Sequence, residues 1–541
     1  MKKNVLLSAI LISALCLCGC NTQITFGDST DQGSQSGQVS ESQNDSVENS
    51  QDGSQGNDAG VTEQASKYLD VSVGWLYDGD YDQVSLMYSH CCLLQLDAPE
   101  YPALEEAVAQ YNYETEQNWT TVTNELKSWA REDYNSAVNE GYDFWGPYVS
   151  EDTMYITRAD DKALSAVTEN YWYSGGAHGM IGYSAVNFDT QTGRKLAIED
   201  VIADTNALPN ALAIEMLEQY PHLEESIQYT WEAGLEDYLA TYLTPETADD
   251  MTPEFKWTLG YEGVTFYFGA YEIGSYADGN QVVVLTYNEY PELFSAEYFT
   301  GVTQDYAVCI APFWYGEEGF TDINGDGIMD MITVDMNYNA EYDMYDSFDV
   351  TVNGNTYTHD AYCYDLISYL VKANGNTYVY VERLVENDYK TVSVFKVTES
   401  SVEFIDEIQG SVMDFTNSAD FGFTKHFDLL STYDGVARYY VGADGMPVEK
   451  GSAYEIRGDL NIVSTVDITA ELVDENGNLL GESKTFPAGT SYTFQTTDGK
   501  TYVDMLTSDG SHCRLYTTSD FPPTVNGMNA IECFEMLWYA G

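Results

Sequence analysis

The chain has 541 residues, 21 of them basic and 88 acidic, for a formal net charge of −67. Such a surface repels nucleic acid and anionic lipid, so nucleic acid is excluded as a partner, and it attracts metal cations and basic proteins. Charged residues make up only 20% while aromatics reach 14%, including 45 Tyr. That is the composition of a folded, strand-rich protein with room for several cores, not of an acidic disordered chain.

Lys2 and Lys3 open the chain, and the apolar run Val5 to Leu17 follows. Thirteen residues are too few to span a bilayer as a permanent helix, so the segment reads as a signal peptide. It closes on Leu17-Cys18-Gly19-Cys20, which resembles the bacterial lipobox. The resemblance implies removal of residues 1–19 and lipidation of Cys20. The protein would then be anchored through acyl chains to the outer face of the cytoplasmic membrane of a Gram-positive-type bacterium. Ordinary secretion is the competing reading. Residues 20–66 are rich in acids, Ser, Gln and Gly and contain no Lys or Arg. They cannot bury enough apolar area to fold, and form a disordered tether with a reach of roughly 40 Å.

Residues 67–299 read as one α+β domain. A strand is predicted at Val84–Leu96. A long helix then places Leu104, Val108, Tyr111, Trp119, Val122, Leu126 and Trp129 at spacings near 3.6. Strands are predicted at Thr153–Arg158, Leu164–Ser174 and Met180–Asp189, with a turn at Asp189–Gly193. A helix-rich stretch from Leu196 to about Leu243 precedes strands at Val264–Phe268 and Gln281–Tyr287. Helices inserted between antiparallel strands point to a sheet covered on one face. Gly175, Gly176, Ala177, His178 and Gly179 make a tight, backbone-exposed tip between two aromatic runs. Gly176 and His178 are the candidate ligand contacts there, and turn-fixing is the competing role for His178.

Four segments in this domain carry a family resemblance: Asn124-Glu-Leu-Lys-Ser-Trp129, Tyr173-Ser-Gly-Gly-Ala-His-Gly179, Asn187-Phe-Asp-Thr-Gln-Thr-Gly193 with Asp200, and Tyr271-Glu-Ile-Gly-Ser-Tyr-Ala-Asp-Gly279. In that order they resemble the extracytoplasmic domain shared by the lysozyme-sensing anti-sigma factor RsiV and the peptidoglycan deacetylase PdaC. The resemblance implies a recognition module of the cell envelope, which in RsiV binds lysozyme. It does not imply catalysis. The deacetylase domain carries an HxxxH motif, and none occurs among His90, His178, His222, His359, His426 and His512. No GxSxG accompanies Ser174 and His178, and 88 acids give no means of choosing a catalytic carboxylate pair.

Residues 300–450 and 451–541 turn to strands and tight turns. Asn353-Gly354, Asn374-Gly375, Asp434-Gly435, Asp444-Gly445, Asn476-Gly477, Asp498-Gly499 and Asp509-Gly510 are hairpin signals. Tyr378 to Ile408, strand–turn–strand–turn–strand, has the look of a propeller blade or meander, and Gly489 to Tyr516 that of a small SH3-like barrel. Asp322-Ile-Asn324-Gly-Asp326-Gly-Ile328-Met-Asp330 places oxygen donors at positions 1, 3, 5 and 9, with the Ile328 carbonyl at 7. That pattern suits Ca2+, a hard cation. Thr333 stands where an EF-hand has its bidentate Glu, so the expected affinity is weak, on the order of 10⁻⁴ M. Six cysteines follow Cys20, none in a CxxC pair; Cys309–Cys363 and Cys513–Cys533 are conceivable bridges.

The expectation is a non-enzymatic surface lipoprotein that recognises a peptidoglycan-related glycan or a basic protein such as lysozyme. A cell-envelope enzyme acting on a glycan, and a wall-associated scaffold, are the alternatives.

Overall fold

The computed structural model describes residues 68–224, 234–243, 254–299, 305–310, 312–313, 316–342, 344–385, 389–458, 460–518 and 521–539. The signal peptide, Cys20 and the tether lie outside them. From residue 68 on the described chain packs as one unit.

The first sheet contains β1 (Asp70–Tyr81), β2 (Ser85–Asp97), β3 (Tyr148–Ala159), β4 (Ala163–Tyr173) and β5 (Met180–Asp189), side by side in chain order. Its neighbours are antiparallel except β2 and β3, which run parallel from Met87↔Tyr148 to His90↔Glu151. The expected antiparallel sheet is therefore mixed. The cause is α1 (Pro102–Glu140), whose 39 residues carry the chain back to the end where β2 began. At 1.5 Å per residue it spans about 58 Å. Pro102 opens α1, and Gly141 closes it in the left-handed conformation with its N–H on Ala137 O at 2.8 Å. Leu104 and Val108 bury into one cluster with Cys92, Leu164 and Phe188, and Leu126 and Ala130 into another with Leu86 and Tyr148. Trp129, expected on the buried stripe, is instead half exposed and lies edge-on to Trp172.

After α2 (Ile198–Val201), α3 (Leu208–Gln219) and α4 (Leu235–Ala240) comes a three-stranded sheet of β6 (Lys256–Leu259), β7 (Gly263–Phe268) and β8 (Gln281–Thr286). Leu208, Leu212, Met216 and Leu239 pack on Trp257, Phe266, Phe268 and Leu285. Side chains weld this sheet to the first. Asn187 Nδ2 donates to Trp257 O at 2.8 Å, the Leu259 amide donates to Ser165 Oγ at 3.0 Å, and Thr157 Oγ1 donates to Leu259 O at 3.0 Å.

Beyond residue 305, two five-stranded sheets face each other across Ile332, Phe348 and Val350 on one side and Val379, Val381 and Phe395 on the other. An eleven-stranded sheet from Ser411 to Tyr516 follows. The described residues form no closed barrel and no propeller. The meander from Asp365 to Gln409 stays open, with Tyr306–Cys309 as its edge. The strands expected as an SH3-like barrel continue into a larger sheet, because Tyr454 pairs with Thr497 and links them to Thr432–Val441. Neither conceivable disulfide is formed: Cys363, Cys513 and Cys533 are buried thiols. Burial pushes the Cys513 thiol up to about 12. Among the described residues no helix is long and apolar enough to cross a membrane.

Candidate functional site

A groove of about 480 Å³ opens at the C-terminal end of α1, lined by Asp133, Tyr142, Phe144, Trp145, Tyr148 and the Ser174–Ala177 tip of the β4–β5 hairpin. Its wall is made by the connection from α1 to β3. Tyr134 meets Phe144 edge-on at 5.5 Å, and Phe144 stacks on Tyr148 at 6.0 Å. Gly146 permits this fold-back, since a Cβ there would lie 2.0 Å from the Phe144 ring. Tyr148 is 4% exposed and forms the floor; its hydroxyl donates to the Asp133 carboxylate. Burial, and then that carboxylate, push its phenol up. On the lip, Trp145 is 66% and Tyr142 49% exposed. Large rings left in water are informative where they cluster in a concavity.

The hairpin tip closes the other side. Gly175, at φ 90°, lies against Tyr148, whose Oη would be 3.2 Å from an added Cβ. Gly176, at φ 108°, faces open space and accepts a hydrogen bond from Tyr173 Oη at 3.2 Å. Of the two tip residues singled out in the sequence, Gly176 lines the groove and His178 does not. The His178 ring stacks on Tyr276 at 4.0 Å, and its Nδ1 donates to Gly179 O at 3.0 Å. Tyr276 Oη donates to the same carbonyl at 3.2 Å. His178 thus ties the hairpin to the segment between β7 and β8.

A family model for deacetylase PdaC matches residues 89–181, and one for a protein family of unknown function, DUF3298, matches residues 200–288. The two matches support a PdaC/RsiV-type extracytoplasmic domain in this part of the chain. Two solved structures of DUF3298 family members are similar to this chain. The one from Bacteroides fragilis NCTC 9343 is 19% identical and covers 43% of this chain and 96% of its own, with a TM-score of 0.32. The one from Pseudomonas aeruginosa PAO1 is 16% identical and covers 43% and 97%, with a TM-score of 0.28. No curated protein matches the chain.

The groove lies within the PdaC-matched part of the domain. The DUF3298-matched part instead holds the junction to the β-rich region. Glu262, between β6 and β7, receives Tyr306 Oη at 2.8 Å, Thr321 Oγ1 at 3.0 Å, the Asp322 amide at 2.8 Å and Lys372 Nζ at 2.8 Å. Tyr261 stacks on Tyr306 at 4.5 Å beside it, and a small cavity of about 120 Å³ adjoins both.

Glu262 also anchors the first residue of the expected calcium loop. Asp322 is buried and accepts the amides of Gly325, Asp326 and Gly327, while Asp330 accepts the Ile323 amide and Asn353 Nδ2. Asp326 Oδ1 accepts the Ile328 amide, and Ile328 is exposed. Asn324 Nδ2 stands between the carboxylates of Asp326, at 3.0 Å, and Glu399, at 3.1 Å. The donors are of the kind a hard cation takes, and Glu399 adds a carboxylate that the loop's own spacing did not reveal. Among the described residues, however, no three acidic, His or Cys side chains converge as a metal cluster. The loop as folded is held by its own amides.

Proposed function

We propose that the PdaC/DUF3298-type domain, which marks a cell-envelope-related extracytoplasmic protein, recognises an envelope glycan in the groove between Trp145 and the Ser174–Ala177 tip. The observation carrying this reading is the pair of exposed rings, Trp145 and Tyr142, over a concavity floored by a buried Tyr. Aromatic faces bury the apolar faces of sugar rings, and the bare backbone of Gly175 and Gly176 leaves room for close approach. The function is binding, not catalysis. Asp133 is the single carboxylate among the lining residues, with no His and no second acid to complete a general acid–base pair. Calcium belongs to the same proposal as a structural ion of the 322–330 loop, and lipid anchoring at Cys20 would hold the domain at the membrane's outer face.

A second reading, capture of a basic protein such as lysozyme, draws on the net charge of −67. One pull-down of purified protein with cell-wall fragments and with lysozyme separates the two. The glycan reading expects retention on wall fragments that Trp145→Ala abolishes without lowering the melting temperature. Lysozyme capture indifferent to Trp145→Ala would favour the second reading. Acetate or muropeptides released from the wall would make the protein an enzyme and overturn both.

A further inference from the structure

Around the groove the charges are unbalanced in one direction. Residues 127–148 include two basic residues, Lys127 and Arg131, and four acidic ones, Glu132, Asp133, Glu140 and Asp143. Both basic side chains are drawn onto β1, Lys127 to Asp78 and Arg131 to Asp80. None of the groove's lining residues is Lys or Arg. Among the described residues Asp133 is hydrogen-bonded by Tyr148 and pairs with no cation. The groove therefore combines an uncompensated carboxylate with the negative faces of two exposed rings, Trp145 and Tyr142, which stack on no other ring among the described residues. Carboxylate and ring faces both attract a cation; a neutral sugar would stack on the rings and hydrogen-bond the carboxylate without that charge attraction, and an acidic one would be repelled. The charge of −67 on the chain as a whole adds attraction of the same sign.

We infer that the groove takes an amino sugar whose nitrogen is a free, protonated amine, the ammonium lying between the Asp133 carboxylate and the Trp145 and Tyr142 rings. This rests on the glycan reading above and names the class of glycan. A groove of about 480 Å³ is of the size that holds a small ligand, and a flat indole suits the face of a sugar ring better than a lone Lys side chain.

The test titrates purified protein with a glucosamine oligomer and with the fully N-acetylated oligomer of the same length, at low and at physiological salt. The free-amine oligomer should bind about tenfold more tightly, with the advantage shrinking as salt rises. Asp133→Asn keeps the shape and an acceptor for Tyr148, so it should fold normally, as its melting temperature checks, and erase the preference. Equal or tighter binding of the N-acetylated oligomer, lost on Trp145→Ala, would overturn the inference and leave the glycan reading standing. Binding of neither oligomer would remove both. Displacement of the amine oligomer by polylysine at equal affinity would also overturn it, assigning the cation to a protein.

Discussion

Glu169 lies on β4 between Thr153 of β3 and Tyr183 of β5. Burial raises its carboxyl from an ordinary 4.5 to about 7. A folded-state value above the unfolded one means that the native chain holds this proton after the unfolded chain has lost it. Stability linked to Glu169 is thus fully present below 4.5 and falls as the pH climbs to about 7, beyond which the loss is constant. At ~1.4 kcal/mol per pH unit, the loss reaches about 3 kcal/mol as an upper figure. Glu169→Gln keeps the shape and cannot ionise. Urea unfolding of both proteins, followed by intrinsic fluorescence at pH 4.5 and pH 8, isolates the effect as the difference between them, so that the titration of the other acids cancels. The variant should match the wild type at the lower pH and exceed it by up to about 3 kcal/mol at the higher. A difference that is the same at both values, or a variant less stable at pH 8, would refute the reasoning.

Replacing Glu262 by Ala removes the carboxylate facing Lys372, whose ammonium is left with the Asp322 carbonyl, and the acceptor of three further donors, so stability should fall by about 3 kcal/mol, read from the same urea curves. His178→Ala removes the stack on Tyr276 and should lower stability by about 1 kcal/mol while leaving glycan affinity unchanged; lost affinity at an unchanged melting temperature would make His178 a contact instead. Calorimetric titration with calcium should show binding on the order of 10⁻⁴ M that Asp326→Ala removes and Glu399→Gln weakens. No heat with the wild-type protein would leave residues 322–330 as an amide-satisfied turn.

The hairpin tip, the long helix and the strands on either side were legible because each obeys a local rule. The apolar residues of α1 recur at helical spacing, and the sequence-predicted strand Met180–Asp189 coincides with β5. β1 was missed although Val71, Val73, Trp75, Tyr77 and Tyr81 alternate along it, because Gly74 and Asp78-Gly79-Asp80 are residues of the turn type, and pairing with β2 holds them in a strand. The groove was missed for a different reason. Tyr142-Asp-Phe-Trp-Gly-Pro-Tyr148 has no period, and its meaning comes from a hairpin tip contributed from further along the chain. Its one local cue was three rings packed around a Gly-Pro pair. The barrel and propeller expectations failed because hairpin turns specify neighbouring strands and say nothing about closure, which the Tyr454–Thr497 pairing decides. Glu399 could not be read as a neighbour of Asn324, since only the facing of two sheets brings them together.

The parallel pairing of β2 with β3 also governs the order in which the domain can assemble. The β1–β2 hairpin and the β3–β4–β5 meander close short loops, whereas the seam between them closes a loop that contains all of α1. Loop entropy makes such a seam slow to form, and local pieces precede it. Tyr148 is both the floor of the groove and the first residue of that seam, opposite Met87. If the groove binds glycan as proposed, that capacity is a late property of the folding chain: after dilution from urea, helical circular dichroism should return before glycan binding does, and the interval between them times the closing of the seam.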